Sequence, residues 1–401
     1  MSWNIGSVGH WVGRLTVRLG TAPSGGNTVG SRTCSHMCKL VVVLLGLVGA
    51  PATADGPHIL RLMPPQMDVD ATLDAIAAEE LPIGAVVIEV LQSGQTLFPV
   101  PDSPFITREG FEEGAQLQQW IAAAHERGLK VYAGVDLLRW HLHFSPDPDP
   151  FERLPELVDL DTNLSCEGDV DAMYASLWED DVRLGLAVLV EQLASRYPDL
   201  DGLYIQPHLS RTAYMGFSDA GRVAYIRHAQ VDPVDLPMYG VDDAEHDRLR
   251  AYMEWRPTQL TQLLTEVVGA YRGAAGEESR IIANGAAGYP ALRTRHKAST
   301  CDDWVTWLLE GAVDDVVMEP TLWRAQWAAE LQAGRGMFER LRQPGDVYLR
   351  VAGEQRGEIV PIEEFWSHLT GAEVSDGLPL FVTPYTSDQL MASLELLRSL
   401  K

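Results

Sequence analysis

Eight times between Asp55 and Lys401 a short apolar run is followed by a longer stretch with helical spacing, and this alternation constrains the fold more than any other feature. The fourth repeat shows it most fully. Apolar side chains at Val182, Leu186, Leu189, Val190 and Leu193 share one face of a helix over Asp181–Tyr197, which stops at Tyr-Pro-Asp. After the turn comes the apolar run Gly202-Leu-Tyr-Ile205, and then the polar Gln206, His208 and Arg211. The other strands are predicted at His58–Met63, Ala85–Leu91, Lys130–Val135, Arg280–Ala283, Asp315–Met318, Asp346–Val351 and Leu378–Val382. Helices are predicted from Asp68 or Asp70 to Glu80, and over Gly110–Arg127, Trp255–Tyr271, Asp302–Glu310, Trp327–Arg340 and Pro361–Leu369; a closing helix runs to Leu400 with Ser387 as its N-cap.

Ala85–Leu91 is nearly continuous in its apolar character, as a strand covered on both faces must be. The order predicts a single domain over residues 55–401, a (β/α)8 TIM barrel with long loops after the third and fourth strands, from His141 to about Glu179 and from Ser210 to about Met253. An open doubly wound sheet alternates in the same way. No Gly-x-Gly-x-x-Gly follows the first strand and there is no phosphate loop, which argues against a nucleotide-binding sheet.

The first 54 residues contain Arg14, Arg18, Arg32 and Lys39 but no Asp or Glu. Lys39, the apolar run Leu40–Ala50 and the small residues Ala52-Thr53-Ala54 follow the order of a secretory signal peptide, expected over residues 37–54 with Met37 as the true start and residues 1–36 as an upstream extension. The apolar run is short for a bilayer span, so no stable membrane anchor is expected after cleavage and the mature protein is expected to be secreted or periplasmic. Cleavage would leave Cys166 and Cys301, either paired in one bridge or as two separate thiols. It would also leave 27 basic against 56 acidic residues, a formal charge of −29. Such a chain repels nucleic-acid phosphates and anionic membranes, so no nucleic-acid partner is expected and a neutral or cationic ligand is favoured, although acidity by itself is also a solubility device.

Chemistry in a barrel of this kind gathers at the C-terminal strand ends. Glu319 closes the run Val316-Val-Met318 and precedes Pro320, and it is the leading candidate for an acid or base, although it could equally cap a loop or pair with an arginine such as Arg324. Asp136 ends the third strand beside Arg139, as a second catalytic carboxylate or as half of an ion pair. Glu354, beyond the seventh strand, is a third candidate, with Glu358 nearby to make the loop simply acidic. Glu89 lies inside the second strand, where a charge must be paired, so its reading is structural. Gln206 and His208 suit hydrogen bonds to a sugar hydroxyl, as do Arg139 and Asn284. Trp140, Trp323 and Tyr385 sit at predicted strand ends or loops, where flat rings suit sugar faces as well as core packing. His141 and His143 alternate in the loop after the third strand, a weak hint of a metal only, Gly-x-Ser-x-Gly is absent, and neither a metal nor a cofactor is called for.

Several segments together resemble the glycosyl-hydrolase-like 10 family of secreted bacterial barrels. They are Ala122-Ala-Ala-His-Glu-Arg-Gly-Leu-Lys-Val-Tyr-Ala133 with the following Arg139-Trp140, Asp201-Gly-Leu-Tyr-Ile205 with the helix before it, Trp255-Arg256, and Trp304-Val-Thr-Trp-Leu-Leu-Glu-Gly-Ala-Val-Asp-Asp315. The resemblance implies a glycoside hydrolase-like protein acting on a polysaccharide or other glycan. One departure matters: where the family's fourth strand runs into a pair of acidic residues, this chain has Gln206 and Pro207, and where its sixth strand ends in Pro-Gln, this chain has Glu319-Pro320. Either the acid has moved to Glu319, or the barrel is a catalytically inactive glycan binder; a metal-dependent hydrolase of another barrel family is a third reading.

Overall fold

The computed structural model describes residues 58–64, 66–142, 148–161, 163–166, 172–207, 216–236, 243–287, 301–320, 336, 346–352, 354–355, 358–359 and 379–399. The expected signal segment, the helix expected at residues 327–340 apart from residue 336, the helix expected at 361–369, and Arg211, Trp323 and His208 lie outside them. Eight parallel strands form the barrel: β1 (His58–Leu62), β2 (Ile83–Gln92), β3 (Lys130–Asp136), β4 (Gly202–Gln206), β5 (Arg280–Ala287), β6 (Asp315–Pro320), β7 (Val347–Ala352) and β8 (Leu380–Thr383). Each pairs with its neighbour in sequence order, and β8 closes the ring on β1 through Ile59 opposite Phe381.

Helices lie between the strands: α1 (Val69–Ala78), α2 (Ala115–Glu126), α3 (Asp180–Arg196), α4 (Asp219–Ala229), α5 (Asp243–Ala275), α6 (Trp304–Leu309) and α7 (Ser387–Ser399). Asp68 caps α1 by accepting from the Ala71 N–H at 2.9 Å. The Gly110–Gly114 stretch is not helical as expected: α2 starts one residue after Gly114, whose φ of 69° is left-handed. A Cβ there would meet the Tyr197 hydroxyl at 2.6 Å, so packing as well as backbone demands glycine. The cap of α7 is Thr386 rather than Ser387, since the Thr386 hydroxyl accepts from the Gln389 N–H at 3.2 Å.

The excursion after β4 is not wholly a loop. It holds α4 and the first turns of α5, which runs through Pro257 instead of beginning at Trp255. A proline costs an interior helix about 3 kcal/mol, and burial offsets that here: Tyr252 and Trp255 pack with Phe217, Tyr225 and Leu236 in an aromatic cluster separate from the main core. The excursion after β3 folds back as an antiparallel pair, Arg139–Leu142 with Ala172–Tyr174.

Strand alternation sets the barrel interior in layers. Ile59, Val87, Tyr132, Tyr204, Ile282, Val317 and Phe381 make an inner apolar layer with Tyr348 packed against it. Two residues further along each strand the same face presents Arg61, Glu89, Gly134, Gln206, Asn284, Glu319, Arg350 and Thr383. This second layer is polar on every strand but β3, where Gly134 stands because the Glu89 carboxyl fills the space: a Cβ would meet its Oε2 at 2.5 Å. Asp136, one step higher on β3, continues the polar face.

Candidate functional site

The polar layer divides into two linked groups. In the first, Arg61 Nε donates to Glu89 Oε2 at 2.7 Å and Arg61 Nη1 to Gln206 Oε1 at 3.1 Å, while Gln206 Nε2 donates to Glu89 Oε1 at 3.2 Å. The three side chains close a triangle with almost no exposure. Burial pushes the Glu89 carboxyl up from its ordinary value, against the pull of Arg61. Asp136 lies within electrostatic reach of Glu89 and Arg61. It accepts from Arg139 Nε at 2.9 Å and from the Arg139 backbone N–H at 3.2 Å, and burial likewise pushes its carboxyl up.

The second group surrounds Glu319. Its Oε2 accepts from Asn284 Nδ2 at 3.0 Å and from Arg350 Nη1 at 2.5 Å, and Arg350 Nη2 donates to the Tyr385 hydroxyl at 2.9 Å. Glu319 does not leave the strand, as its place before Pro320 suggested; it is paired within β6, opposite Ala286 of β5, and only its side chain reaches the mouth. That side chain is 24% exposed while its partner Arg350 is 2% exposed, so the arginine orients a carboxylate that solvent reaches. Tyr204, in the layer beneath, lies within electrostatic reach of Arg350, Arg61, Glu89 and Glu319, which places both groups around one barrel axis.

The sequence-derived candidates therefore separate. Glu319, Asn284 and Tyr385 come together, and Asp136 with Arg139 and Gln206 joins the neighbouring group. Gln206 is fully buried and engaged with Arg61 and Glu89. Trp140 is 1% exposed, stacked on Phe151 and edge-on to Phe105, with Nε1 donating to the Leu137 carbonyl at 2.9 Å; its ring packs on protein, as in the core reading. Glu354 starts a short hairpin with Glu358–Ile359 beyond β7. Arg324, the arginine that the sequence reading named as a partner of Glu319, lies outside the described residues; Glu319 pairs with Arg350, which that reading missed along with Arg61. Both carry a visible signal, a lone cation inside a strand-like apolar run, Ile-Leu-Arg-Leu and Tyr-Leu-Arg-Val. Cys166 and Cys301 are present as thiols. Among the described residues no group of three or more His, Cys, Asp or Glu is placed to hold a metal ion, and no helix is long and apolar enough to cross a membrane.

Chemically, this arrangement offers a solvent-reached carboxylate held by an arginine and an amide, beside buried carboxyls whose surroundings favour the protonated form. The model of the family described as Glycosyl hydrolase-like 10 matches residues 64–346. Among solved structures, the PgaB (BpsB) glycoside hydrolase domain of Bordetella bronchiseptica superposes with a TM-score of 0.60 at 15% identity, covering 86% of this chain and 98% of that one. A beta-galactosidase from the psychrophilic Marinomonas ef1 superposes with a TM-score of 0.54 at 12% identity, covering 85% of this chain and 59% of that one. At such identities these likenesses concern the fold. No curated protein matches.

Proposed function

Since the chain belongs to the glycosyl hydrolase-like 10 family, we propose that it is a secreted or periplasmic protein that binds a glycan at the barrel mouth and hydrolyses a glycosidic bond there with Glu319. The observation that carries this reading is the state of that carboxylate: solvent-reached, and aimed by Asn284 and Arg350. Paired with an arginine, Glu319 suits the base or nucleophile. Asp136 is the second carboxyl in this reading, with burial raising its proton affinity against the pull of Arg139. The separation of the two carboxyls in the glycan complex would set the outcome, about 5 Å for retention and about 6.5–9.5 Å for inversion. With a strongly acidic chain, neutral or cationic sugars are the favoured substrates.

The test is Glu319→Gln, which keeps the shape and the hydrogen-bonding capacity. On a glycan that the wild type cleaves, release of reducing ends should fall roughly 10³-fold. Unchanged release would remove Glu319 from the chemistry.

A second reading has its own support. Gln206, where the resemblance expects an acid, is neutral and locked between Arg61 and Glu89. In that reading the barrel binds a glycan without cleaving it, and saturable binding with no product from any responsive glycan would establish it.

A further inference from the structure

Away from the barrel axis, α5 ties together the excursions that follow β3 and β4, and one buried cation stands at the junction. Arg256 is fully buried, and its Nε, Nη1 and Nη2 meet no acceptor among the described residues. The ionisable groups around it are Cys301, Tyr252 and Asp159. None of them accepts a hydrogen bond from it: the Tyr252 hydroxyl donates to the Gly216 carbonyl at 3.0 Å, and Asp159 takes the Leu160 N–H on Oδ1 at 3.0 Å while Oδ2 has no donor. Burial pushes the Asp159 carboxyl up to about 7, so near neutrality it balances only part of the arginine's charge. Gly216 shapes the space. With φ at 109°, a Cβ there would stand 2.7 Å from the Tyr252 hydroxyl and 3.3 Å from Arg256 Nε, so the glycine keeps that side of the guanidinium clear of a side chain.

A buried guanidinium without acceptors is costly, and the cost falls when an acceptor-only, negatively charged group enters its plane. We infer that Arg256 anchors a small anion site, enclosed by Asp159, Tyr252, Gly216 and Cys301, that takes a halide or a carboxylate. The carboxylate has two sources, a free small anion or an acidic substituent on a sugar. The inference is independent of whether Glu319 hydrolyses anything.

The test uses the full chain, freed of halide by dialysis. Sodium chloride, acetate and glucuronate are titrated at constant ionic strength set with a bulky sulfonate salt, with glucose as the neutral control. Tm and tryptophan fluorescence are read, because Trp255 adjoins Arg256 and stacks on Trp178 at 5.6 Å. The wild type should show a saturable rise in Tm with chloride or acetate, and Arg256→Met should lose it. Asp159→Asn, which removes the neighbouring negative charge, should lower the half-saturating concentration several-fold. Glucuronate acting no better than acetate marks a free anion as the occupant. Glucuronate at least tenfold better, with glucose inert, marks a glycan-borne carboxylate. A wild type with no saturable response, or the same response in Arg256→Met, overturns the inference. If Arg256→Met does not fold, an unchanged half-saturation in Asp159→Asn overturns it instead.

Discussion

Strands β5, β6 and β7, the last with the residue just before it, carry polar residues at both ends of the barrel, four positions apart on each: Arg280 and Asn284, Asp315 and Glu319, Asp346 and Arg350. Between them lie Ile282, Val317 and Tyr348 of the apolar layer. At the lower end Arg280 binds Asp315 through Nε and through Nη2, the latter at 2.7 Å, and the Asp346 backbone N–H donates to the same carboxylate at 2.6 Å. Asp315 is fully buried and saturated by fixed donors. At the upper end a similar arginine–carboxylate pair leaves Glu319 in contact with water. Arginine and carboxylate thus serve as a bolt at one end and leave an oriented, solvent-reached carboxylate at the other. What separates them is a backbone N–H and closure by protein, not residue type.

Exchanging each carboxylate for its amide should separate the two roles most widely. Glu319→Gln should cost less stability than Asp315→Asn, because the Glu319 side chain is 24% exposed and Asp315 is sealed, while abolishing most glycan turnover. Asp315→Asn should cost about 3 kcal/mol, because Arg280 loses its charged partner, yet leave turnover per folded molecule near wild type. Urea unfolding and reducing-end assays on both variants check this, and the comparison fails if their effects run the other way.

A smaller effect is expected from the arginine that aims Glu319. Arg350→Met should lower kcat by roughly 10²-fold with KM little changed, because it acts through the orientation of the carboxylate. A change confined to KM would instead place Arg350 against the glycan.

The smallest effect concerns pH, at the lower end. His58 Nδ1 accepts from the Leu380 N–H at 3.0 Å across the β1–β8 closure, and burial lowers the histidine from 6.5 to about 4. The unfolded chain therefore binds a proton that the folded one refuses between those values. The contribution is fully present above pH 6.5 and is lost as pH falls toward 4, a loss of about 2 kcal/mol after allowing for solvent screening. Tm measured across this range should decline in the wild type and decline less in His58→Gln.

Much of the barrel was legible because period is local. Asp315–Met318 and Gly202–Ile205 announce buried strands by composition alone, and the helix expected to end at Arg127 does so, with Gly128 at a φ of 75° just past its cap. The errors arose where tertiary packing overrode a local signal. The helix was expected to start at Trp255, with Pro257 in its first turn, but Tyr252 and Trp255 are held by Phe217 and Tyr225, so the helix begins earlier and continues through the proline. Pro320 reads as a strand stop, but pairing with β5 carries β6 through it. In the site, Glu319 was visible as a carboxylate after an apolar run. That Arg350 would orient it was not visible, since that depends on which strands are neighbours and which parity faces inward.

Residue order by itself determined the alternation, the eight-fold count and the fact that polar groups follow buried strands, because hydrophobic period and turn chemistry act over a few residues. Only the closed tertiary structure decided which of those groups meet. Closure sets the register, so that side chains remote in sequence, such as Arg61 and Gln206, share one layer. It also decides whether a carboxylate is sealed like Asp315 or reached by water like Glu319.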